Sequence, residues 1–398
     1  MKIIFLSNIV LPKTIKKYKS ISTISVADNN AQLSLINSLS KYYGKDFITI
    51  TPAYNNNLTF KHIDENIEKY KSTLIIKYKN NSNNKIIYYF DLIRGYYKEL
   101  KKLLKTYKGE KIIVITNGPH LFRALAPVLL KKKYKFKFVP FFLGGVELPE
   151  MTGIFKLISS FSPKLARKAD ASITYVDKNS LDYTNNDFVE ILFTLNKDEI
   201  KLSNKIFIKN KKESKEKTVL FSGALNNING MNELIEIIKK VKKNYKFLIA
   251  GDGDYKDRLI ELEDNYNIKY LGKISHDECI KLQHSVDYLI MLRNRKDKFG
   301  EYHSKYSISS KIFEYLLSGT PVITNNHEAL QKELRQFVNI ISNYDVDEIV
   351  NFLNKNIKIS KEIKEKAIKG RNYVIENANE EKQGIKLHKF IEKISKED

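Results

Sequence analysis

A short segment that begins at Ser309 combines residue types that could bind an anionic ligand. Ser309, Ser310 and Lys311 directly precede an apolar stretch with helical spacing. The first turn of a helix offers unpaired backbone N–H groups and the positive end of the helix dipole, so hydroxyl and ammonium groups at that point suit a diphosphate. Glu314 follows one turn later, where a carboxylate could accept hydrogen bonds from ribose hydroxyls. An ordinary capped helix with a solvated Glu314 is the alternative interpretation.

A second segment, Asp252-Gly253-Asp254, has the spacing of a D-x-D metal motif. It follows the apolar run 247–250, which predicts a strand, and its glycines are typical of a turn at the end of that strand. We therefore interpret the two aspartates as turn residues. The sequence predicts neither an essential metal nor a resident cofactor.

The elements that must position these segments follow a regular alternation. An opening strand at 2–6 precedes the helical spacing of Gln32, Leu35, Ile36 and Leu39, and further short apolar runs alternate with helical patterns to the end of the second half. Such alternation requires parallel sheets with helices on both faces, and these sheets bind ligands at the carboxyl ends of their strands. The sequence predicts an α/β fold of two doubly wound domains.

Two local patterns depart from this alternation. Residues 72–90 contain two β-rich runs on either side of the turn-like segment 80–84, which predicts an inserted hairpin. Residues 293–307 are polar and predict a long loop before a helix at about 309–318.

Composition limits the class of protein. The 398 residues are sufficient for two domains, and the single cysteine, Cys279, excludes an internal disulfide framework and a cysteine-built zinc site. No apolar run is long enough for a membrane-spanning helix, and the first ten residues are strand-like rather than typical of a signal peptide, which predicts a cytoplasmic location. The net charge of +23 favours contact with anionic partners, although a lysine-rich and asparagine-rich composition from an AT-rich genome is an equal explanation.

The segment 310–323 resembles the signature S-K-x-x-E-Y-x-x-S-G-x-P-V-I of retaining glycosyltransferases of the GT-B fold, family 4. Three further segments match that family in order and spacing: Phe221-Ser222-Gly223 followed by Gly230, the strand end 248–253, and the segment 270–274. The resemblance covers residues 218–326 well and is diffuse over the first half. It implies two Rossmann-like domains that face each other across a cleft.

The resemblance also implies a domain organisation. Residues 1–205 would form the acceptor-binding domain, 206–217 a charged linker, and 218–370 the domain that binds the nucleotide sugar. Residues 371–398 would form a C-terminal helix that packs back toward the first domain.

Donor-side roles carry over onto matching positions. Glu314 would bind the ribose, and Ser309, Ser310 and Lys311 would flank the diphosphate. Gly223 would let the backbone approach that group. The base of the donor, which we expect to be a UDP-sugar, would lie along Lys273 and Ile274.

The sequence departs from the family where a basic pair commonly holds the diphosphate. The corresponding positions are Ala224 or Leu225, and Asn229, none of which is basic, and the first glutamate of the family's glutamate pair falls near Tyr306. Another cation must then neutralise the leaving group, and the candidates in the neighbouring loop are Arg293, Arg295 and Lys305. We favour Arg293 because it directly follows a predicted strand. A solvated arginine on a loop is the alternative.

The resemblance implies retention of configuration without a metal, with catalysis by positioning and by stabilisation of the departing diphosphate. The catalytic candidates are His120, Arg293 and Lys311, and the acceptor-side candidates are Asn117, His120 and Glu147. A helix-capping or packing role is the alternative for His120. A GT-B sugar epimerase or phosphorylase, and a catalytically silent GT-B subunit that recruits acceptor to a partner, are the alternative functions.

Two lysine-rich segments predict a surface that could contact a membrane carrying a lipid-linked acceptor. The residues are Lys98, Lys101, Lys102, Lys105, Lys131, Lys132, Lys133, Tyr134, Lys135, Phe136 and Lys137. A solvated outer helix is the alternative. Nucleic acid is a weaker candidate because no recognition module is present. The sequence thus favours a transferase of cell-surface polysaccharide synthesis at the inner face of a membrane.

Overall fold

The computed structural model describes residues 1–18, 26–52, 67–78, 85–145, 153–177, 187–207, 214–341 and 345–397. The chain forms two compact units. The first contains Met1–Thr194 and Glu380–Asp398, and the second contains Leu195–Asn379. The sequence predicted limits near 206 and 371, and residues 208–213 of the predicted linker lie outside the described ranges.

The first unit is built on a sheet with eight described strands. They are β1 (Lys2–Leu6), β2 (Phe47–Pro52), β3 (Ile67–Tyr70), β4 (Thr73–Tyr78), β5 (Ile112–Asn117), β6 (Lys137–Phe142), β7 (Ala171–Thr174) and β8 (Asp187–Glu190), in the order β3-β4-β2-β1-β5-β6-β7-β8. Neighbours pair in parallel except β3 with β4. Every residue of β2 and β5 is buried, as expected for central parallel strands covered on both faces.

Helices cover this sheet. They are α1 (Pro12–Tyr18), α2 (Val26–Tyr43), α3 (Lys85–Thr106), α4 (Leu121–Leu130), α5 (Gly153–Ser159) and α6 (Ser162–Ala166), with a 3-10 turn at Gly44–Asp46. Helix α3 buries Leu92, Tyr96, Leu100 and Leu104 against the sheet and leaves lysines on its opposite side exposed: Lys98, Lys102 and Lys105. The helical spacing of these apolar residues therefore determines which face of α3 packs against the sheet.

The predicted hairpin at 72–90 is partly wrong. Strand β4 exists, but its antiparallel partner is β3, which precedes it, and residues 85–90 begin helix α3. The helical conformation lets Tyr89 stack on Phe122 of α4, with ring centroids 4.2 Å apart, so tertiary packing overrides the β propensity of the isoleucines and tyrosines. The turn predicted at 80–84 lies outside the described residues.

The second unit has six described strands, all parallel. They are β9 (Lys217–Ser222), β10 (Tyr245–Ala250), β11 (Ile268–Gly272), β12 (Tyr288–Met291), β13 (Val322–Asn325) and β14 (Asn339–Ile341), in the order β11-β10-β9-β12-β13-β14. Its helices are α7 (Lys197–Ile206), α8 (Met231–Lys240), α9 (Lys256–Leu262), α10 (His276–Ser285), α11 (Lys298–Tyr306), α12 (Lys311–Ser318), α13 (Lys332–Arg335), α14 (Val346–Lys355) and α15 (Lys361–Asn377), with a 3-10 turn at Asn227–Asn229. The predicted α/β class with two parallel-sheet domains is confirmed.

Helix α11 corrects the predicted loop at 293–307. The side chain of Asp297 accepts a hydrogen bond from the backbone N–H of Gly300 at 2.7 Å and thereby caps the helix. A Cβ atom at Gly300 would lie 2.6 Å from the carbonyl oxygen of Asn294, so the entry to the helix is tight. The polar composition of this stretch obscured a capped helix.

The last helix, α16 (Glu380–Ile394), returns to the first unit. Its buried Leu387, Ile391 and Ile394 face that unit, and the ring of His388 stacks on Tyr42 of α2 at 4.5 Å. A Cβ atom at Gly384 would lie 2.6 Å from the carbonyl oxygen of Ser38, so the two helices approach closely. Among the described helices, none combines the length and the apolar character needed to cross a bilayer.

Candidate functional site

The amino end of α12 is open to a ligand. The helix begins at Lys311, and Ser310 in the capping position makes no side-chain capping hydrogen bond. Within the described residues the hydroxyls of Ser309 and Ser310 have no hydrogen-bond partner. The hydroxyl of Tyr315 accepts a hydrogen bond from the backbone N–H of Ser222 at 2.9 Å, which fixes the helix beside the carboxyl end of β9.

Lys311 and Glu314 pair with each other. The Lys311 ammonium donates to Oε2 of Glu314 at 2.7 Å, and the Gln283 amide lies 3.4 Å from the same oxygen. Burial of Lys311 opposes its charge, but the adjacent Glu314 carboxylate outweighs this effect, so the pKa of Lys311 is raised. The two residues predicted to bind diphosphate and ribose separately are thus held in one pair at the start of the helix.

Two neighbouring strand ends meet at a pair of glycines. The Gly223 N–H donates to the carbonyl of Ala250 at 2.9 Å, and a Cβ atom at Gly251 would lie only 1.8 Å from the Gly223 carbonyl oxygen. Gly251 also has a φ of +150°, where a side chain is strained. A Cβ atom at Gly223 itself would meet only the Phe221 ring, at 3.5 Å. The space beside the Gly223 backbone is therefore open except for this ring.

Arg293 is a buried cation without a counter-charge among the described residues. It follows β12, is 7% exposed, and forms no ion pair with any described carboxylate. One guanidinium nitrogen donates to the side-chain oxygen of Asn229, while Nε is buried without a partner among the described residues. Burial lowers the pKa of Arg293 to about 10, so the group stays protonated at neutral pH.

Asn229 occupies a position where the glycosyltransferases that the sequence resembles commonly have a basic residue. In the structure it lies next to Arg293, a cation that follows β12. Asn229, in the loop after β9, holds the guanidinium, and the Asn325 side chain fixes the Arg293 backbone by accepting from its N–H at 2.9 Å. The loop after β9 thus contacts Arg293 through Asn229, and the end of β9 contacts α12 through Ser222. Arg293 and helix α12, which begins at Lys311, therefore both contact the segment at the carboxyl end of β9.

His327 completes this cluster as a neutral group. Its side chain is fully buried, Nδ1 lies 3.2 Å from the Asn325 carbonyl oxygen, and Nε2 has no partner in the described part of the chain. Burial, reinforced by the nearby Arg293 cation, lowers the pKa of His327 to about 3. Nothing in the sequence pattern distinguished this histidine.

The other donor-side candidates are more exposed. Arg295 forms an ion pair with Glu328 at 3.6 Å, and the Lys305 ammonium lies 5.0 Å from the ring centroid of Tyr306. Lys273 is exposed and Ile274 half-buried, directly after β11, the outermost strand of the described sheet. Of the three loop cations, Arg293 alone is buried without an acidic partner among the described residues.

In the first unit, His120 and Asn117 lie at the carboxyl end of β5. His120 precedes α4 and does not cap it, and a Cβ atom at Gly118 would lie 2.8 Å from the His120 ring. Burial, with a smaller effect of Arg123, lowers the pKa of His120 to about 3, so the ring is neutral. Glu147 lies outside the described residues.

Asn117 belongs to a polar network that the sequence analysis missed. Its amide donates to Asn8 at 2.9 Å and to Asp28 at 3.2 Å, and the Gln32 amide donates to the same two side chains at 2.9 and 3.1 Å. The signal was present, because Asn8 lies two residues after β1 and Asp28 lies in the first turn of α2. These distant positions could not be connected without the fold.

No group of three or more potential metal-ligating side chains occurs within the described residues. The Asp252 carboxylate accepts from the N–H of Gly253 at 3.0 Å, the geometry of a turn residue at the end of β10.

Residues 203–380 match the family model of glycosyl transferases group 1. The matched region contains every donor-side candidate, from Gly223 to Glu314. No curated protein matches the chain in sequence.

Solved structures similar over the whole chain show its fold. The HepE protein of Anabaena in complex with UDP and glucose is 14% identical, with 99% of this chain and 100% of that chain covered and a TM-score of 0.62. Sucrose-phosphate synthase from Thermosynechococcus elongatus is 12% identical, with 99% of each chain covered and a TM-score of 0.67. A glycosyltransferase from Rickettsia africae is 16% identical, with 100% and 99% covered and a TM-score of 0.66. These similarities confirm the predicted GT-B fold.

Proposed function

We propose that this protein is a retaining, metal-independent hexosyltransferase of family 4. It transfers a sugar from a nucleotide diphosphate donor, a UDP-sugar, to a glycan or lipid-linked acceptor in cell-surface polysaccharide synthesis such as that of a capsule. The reaction takes place in the cytoplasm at the inner face of the membrane. The second unit binds the donor and the first unit supplies the acceptor side.

Arg293 is the observation that carries this proposal. A buried guanidinium is costly unless an opposite charge accompanies it, and none of the described carboxylates does so. A diphosphate at the carboxyl ends of β9 and β12 would supply the missing charge and accept from the unpartnered Nε. The UDP and UDP-glucose complexes of HepE show that a protein of this fold binds such a ligand.

The start of α12 would bind the rest of the donor. Ser309 and Ser310 offer free hydroxyls to the diphosphate, together with the backbone dipole of the helix. The Lys311 ammonium lies next to Glu314, so the carboxylate is oriented before the ribose arrives. Lys273 and Ile274 would border the base, and the open backbone at Gly223 would let the phosphates approach.

The chemistry would consist of positioning and charge stabilisation. The acceptor oxygen forms the new bond to the anomeric carbon while the bond from that carbon to the diphosphate breaks, and the acceptor proton passes to the departing phosphate. Arg293 and Lys311 would stabilise the negative charge that grows on the diphosphate, which is the main source of rate enhancement in such a reaction. His120, neutral at physiological pH, would donate a hydrogen bond to a sugar hydroxyl, and Asn117 and Glu147 would lie on the acceptor side.

Calorimetric titration of UDP into the Arg293→Met protein tests the donor assignment. We expect an affinity loss of roughly 10-fold to 100-fold, because one charge-assisted hydrogen-bonding group is removed. Arg295→Met is the matched control, since Arg295 is two residues away and paired with Glu328. Equal affinities of the parent and Arg293→Met proteins would refute the assignment.

Activity separates this proposal from its alternatives. Incubation with UDP-sugars and a lipid-linked acceptor should give a product whose anomeric proton shows retained configuration, with an unchanged rate in the presence of a chelator. An epimerase would convert the free sugar nucleotide without acceptor, and a silent recruiting subunit would bind no donor.

A further inference from the structure

The outward side of α3 carries a surface that the proposed donor chemistry does not use. Its residues recur at helical spacing opposite the buried stripe of Leu92, Tyr96 and Leu100. We call them the α3 outer face: Ile87, Phe90, Arg94, Tyr97, Lys98, Lys101, Lys102 and Lys105.

The carboxyl-terminal part of the α3 outer face is strongly cationic. Arg94, Lys98, Lys102 and Lys105 are exposed, and none forms an ion pair with a described carboxylate. The Lys101 ammonium lies 5.6 Å from the ring centroid of Tyr97. With Thr106, these six residues line a shallow groove of about 670 Å³. The helix carries two acidic residues, Asp91 before the groove and Glu99 at its flank, against the five cationic residues that line the groove. The groove therefore has a positive potential suited to phosphate groups.

The amino-terminal part of the same face is apolar. The side chain of Phe90 is 68% exposed and that of Ile87 is 51% exposed. An exposed phenylalanine one turn before a row of cations is typical of helices that lie in a membrane interface, where the aromatic ring enters the acyl region and the cations contact headgroups. A nucleic-acid surface would use the cations but would gain little from these side chains, which are separated from the groove by one turn.

The second lysine-rich segment differs in the structure. The Lys131 ammonium is bound to both oxygens of Asp170 at 2.6 Å, and Phe136 is 8% exposed. Phe136 is therefore part of the protein interior, and Tyr134 is half-buried against the core, so neither ring is as exposed as that of Phe90. The predicted lysine-rich surface thus separates into the α3 outer face, which has an exposed aromatic ring beside its cations, and a segment whose exposed apolar neighbour is Leu129, 45% exposed, without an exposed aromatic ring.

We infer that the α3 outer face binds the surface of a bilayer with anionic phospholipid headgroups. Phe90 enters the acyl boundary, and Arg94, Lys98, Lys102 and Lys105 contact lipid phosphates in and around the groove. The inference specifies how the proposed transferase reaches a lipid-linked acceptor, but it rests on residues outside the donor site.

Sedimentation with vesicles tests this assignment on the full chain. The parent protein should sediment with vesicles of equal parts phosphatidylcholine and phosphatidylglycerol and remain in solution with phosphatidylcholine alone. The combined Lys98→Gln, Lys102→Gln and Lys105→Gln variant should bind about 100-fold more weakly, since each basic group contributes a comparable share at an anionic surface. Phe90→Ser should bind roughly 10-fold more weakly and lose the part of the binding that survives at about 1 M salt.

Matched controls come from the second unit. The triple change Lys239→Gln, Lys242→Gln and Lys243→Gln removes the same charge from exposed sites, and Ile260→Ser removes a side chain that is 43% exposed. Both controls should bind vesicles like the parent. Equal weakening by the control lysines would show that only net charge matters, and retained binding of both α3 variants would place the contact elsewhere. Either result overturns the inference, as would tighter binding of a single-stranded oligonucleotide that these vesicles do not displace.

UDP titration of the same variants keeps this test separate from the proposed function. The α3 variants should bind UDP like the parent, because the mutated residues lie in the first unit. A protein that binds vesicles but not UDP would refute the donor assignment alone, whereas a protein that binds UDP but not vesicles would refute the membrane assignment alone.

Discussion

The carboxyl ends of the two sheets differ in how their polar groups are satisfied. In the first unit, Asn117 donates to Asn8 and Asp28, and the amides and the carboxylate satisfy one another; nearby Arg123 has an Nε without a partner among the described residues, but its side chain is only half-buried. In the second unit, Arg293 and His327 are buried with nitrogen atoms that have no partner among the described residues.

This difference separates two uses of the same architecture. A self-contained network holds strands and a helix in place and needs no ligand, whereas a buried cation with spare donors is completed by an anion. The comparison therefore predicts that changes to the polar side chains at the second sheet edge affect ligand binding first, and that changes to those at the first affect stability, whereas the glycine backbone contacts affect stability at both edges.

The largest expected effect comes from the backbone contact in the second unit. Gly251→Ala should destabilise the protein by more than about 3 kcal/mol, because the new Cβ atom would lie 1.8 Å from a backbone oxygen that cannot rotate away. Gly118→Ala in the first unit should cost only about 1–2 kcal/mol, since its φ of +70° is strained but the atom it meets belongs to a His120 ring that can turn. Equilibrium urea unfolding measures both, and equal losses would show that the second edge is no more rigid than the first.

Lys311 offers a sharper test of ligand binding. Lys311→Met should weaken UDP binding by roughly 10-fold to 100-fold and also destabilise the protein, because Glu314 loses its ion-pair partner. Combining it with Glu314→Gln should restore the stability without restoring the affinity. Recovery of UDP binding in the double variant, measured by calorimetry, would assign the pair a purely structural role.

Asn117 should show the opposite behaviour. Asn117→Leu leaves oxygens of Asn8 and Asp28 without a donor and should cost about 1–3 kcal/mol of unfolding free energy. UDP affinity of the folded protein should not change. A parallel loss of UDP affinity would erase the proposed distinction between the two edges.

The smallest effect concerns acid stability. His327 has an ordinary pKa of 6.5 in the unfolded chain and about 3 in the folded protein, so below about pH 6.5 the unfolded state binds a proton that the folded state refuses. Stability should therefore fall as the pH decreases toward 3, with a contribution of about 1.4 kcal/mol at about pH 5.5. His327→Gln should remove this part of the pH dependence in thermal unfolding. An unaltered slope would show that the folded protein protonates the ring.

The parallel fold could be predicted because short apolar runs, typical of buried strands, alternate with segments whose apolar residues recur at helical spacing. The prediction failed at residues 85–90 and 298–306, where helices depend on contacts the sequence does not display: the stack of Tyr89 on Phe122, and the Asp297 cap. For the site, the pattern supplied Arg293, Arg295 and Lys305 and favoured Arg293 from its position after a predicted strand, and the structure adds that its side chain is buried. His327 and the Asn8 network required three-dimensional neighbours that lie far apart in the chain.

The return of α16 to the first unit affects the order in which the two units can complete their folding. All the described strands of the second unit, and helix α15, lie in the continuous stretch before residue 380, so that unit needs no later segment to complete its fold. The first unit has to wait, because Leu387, Ile391 and Ile394 fill its helical layer and Gln383 accepts from the Leu192 N–H at 2.9 Å. The first unit is therefore synthesised first but completes its folding last.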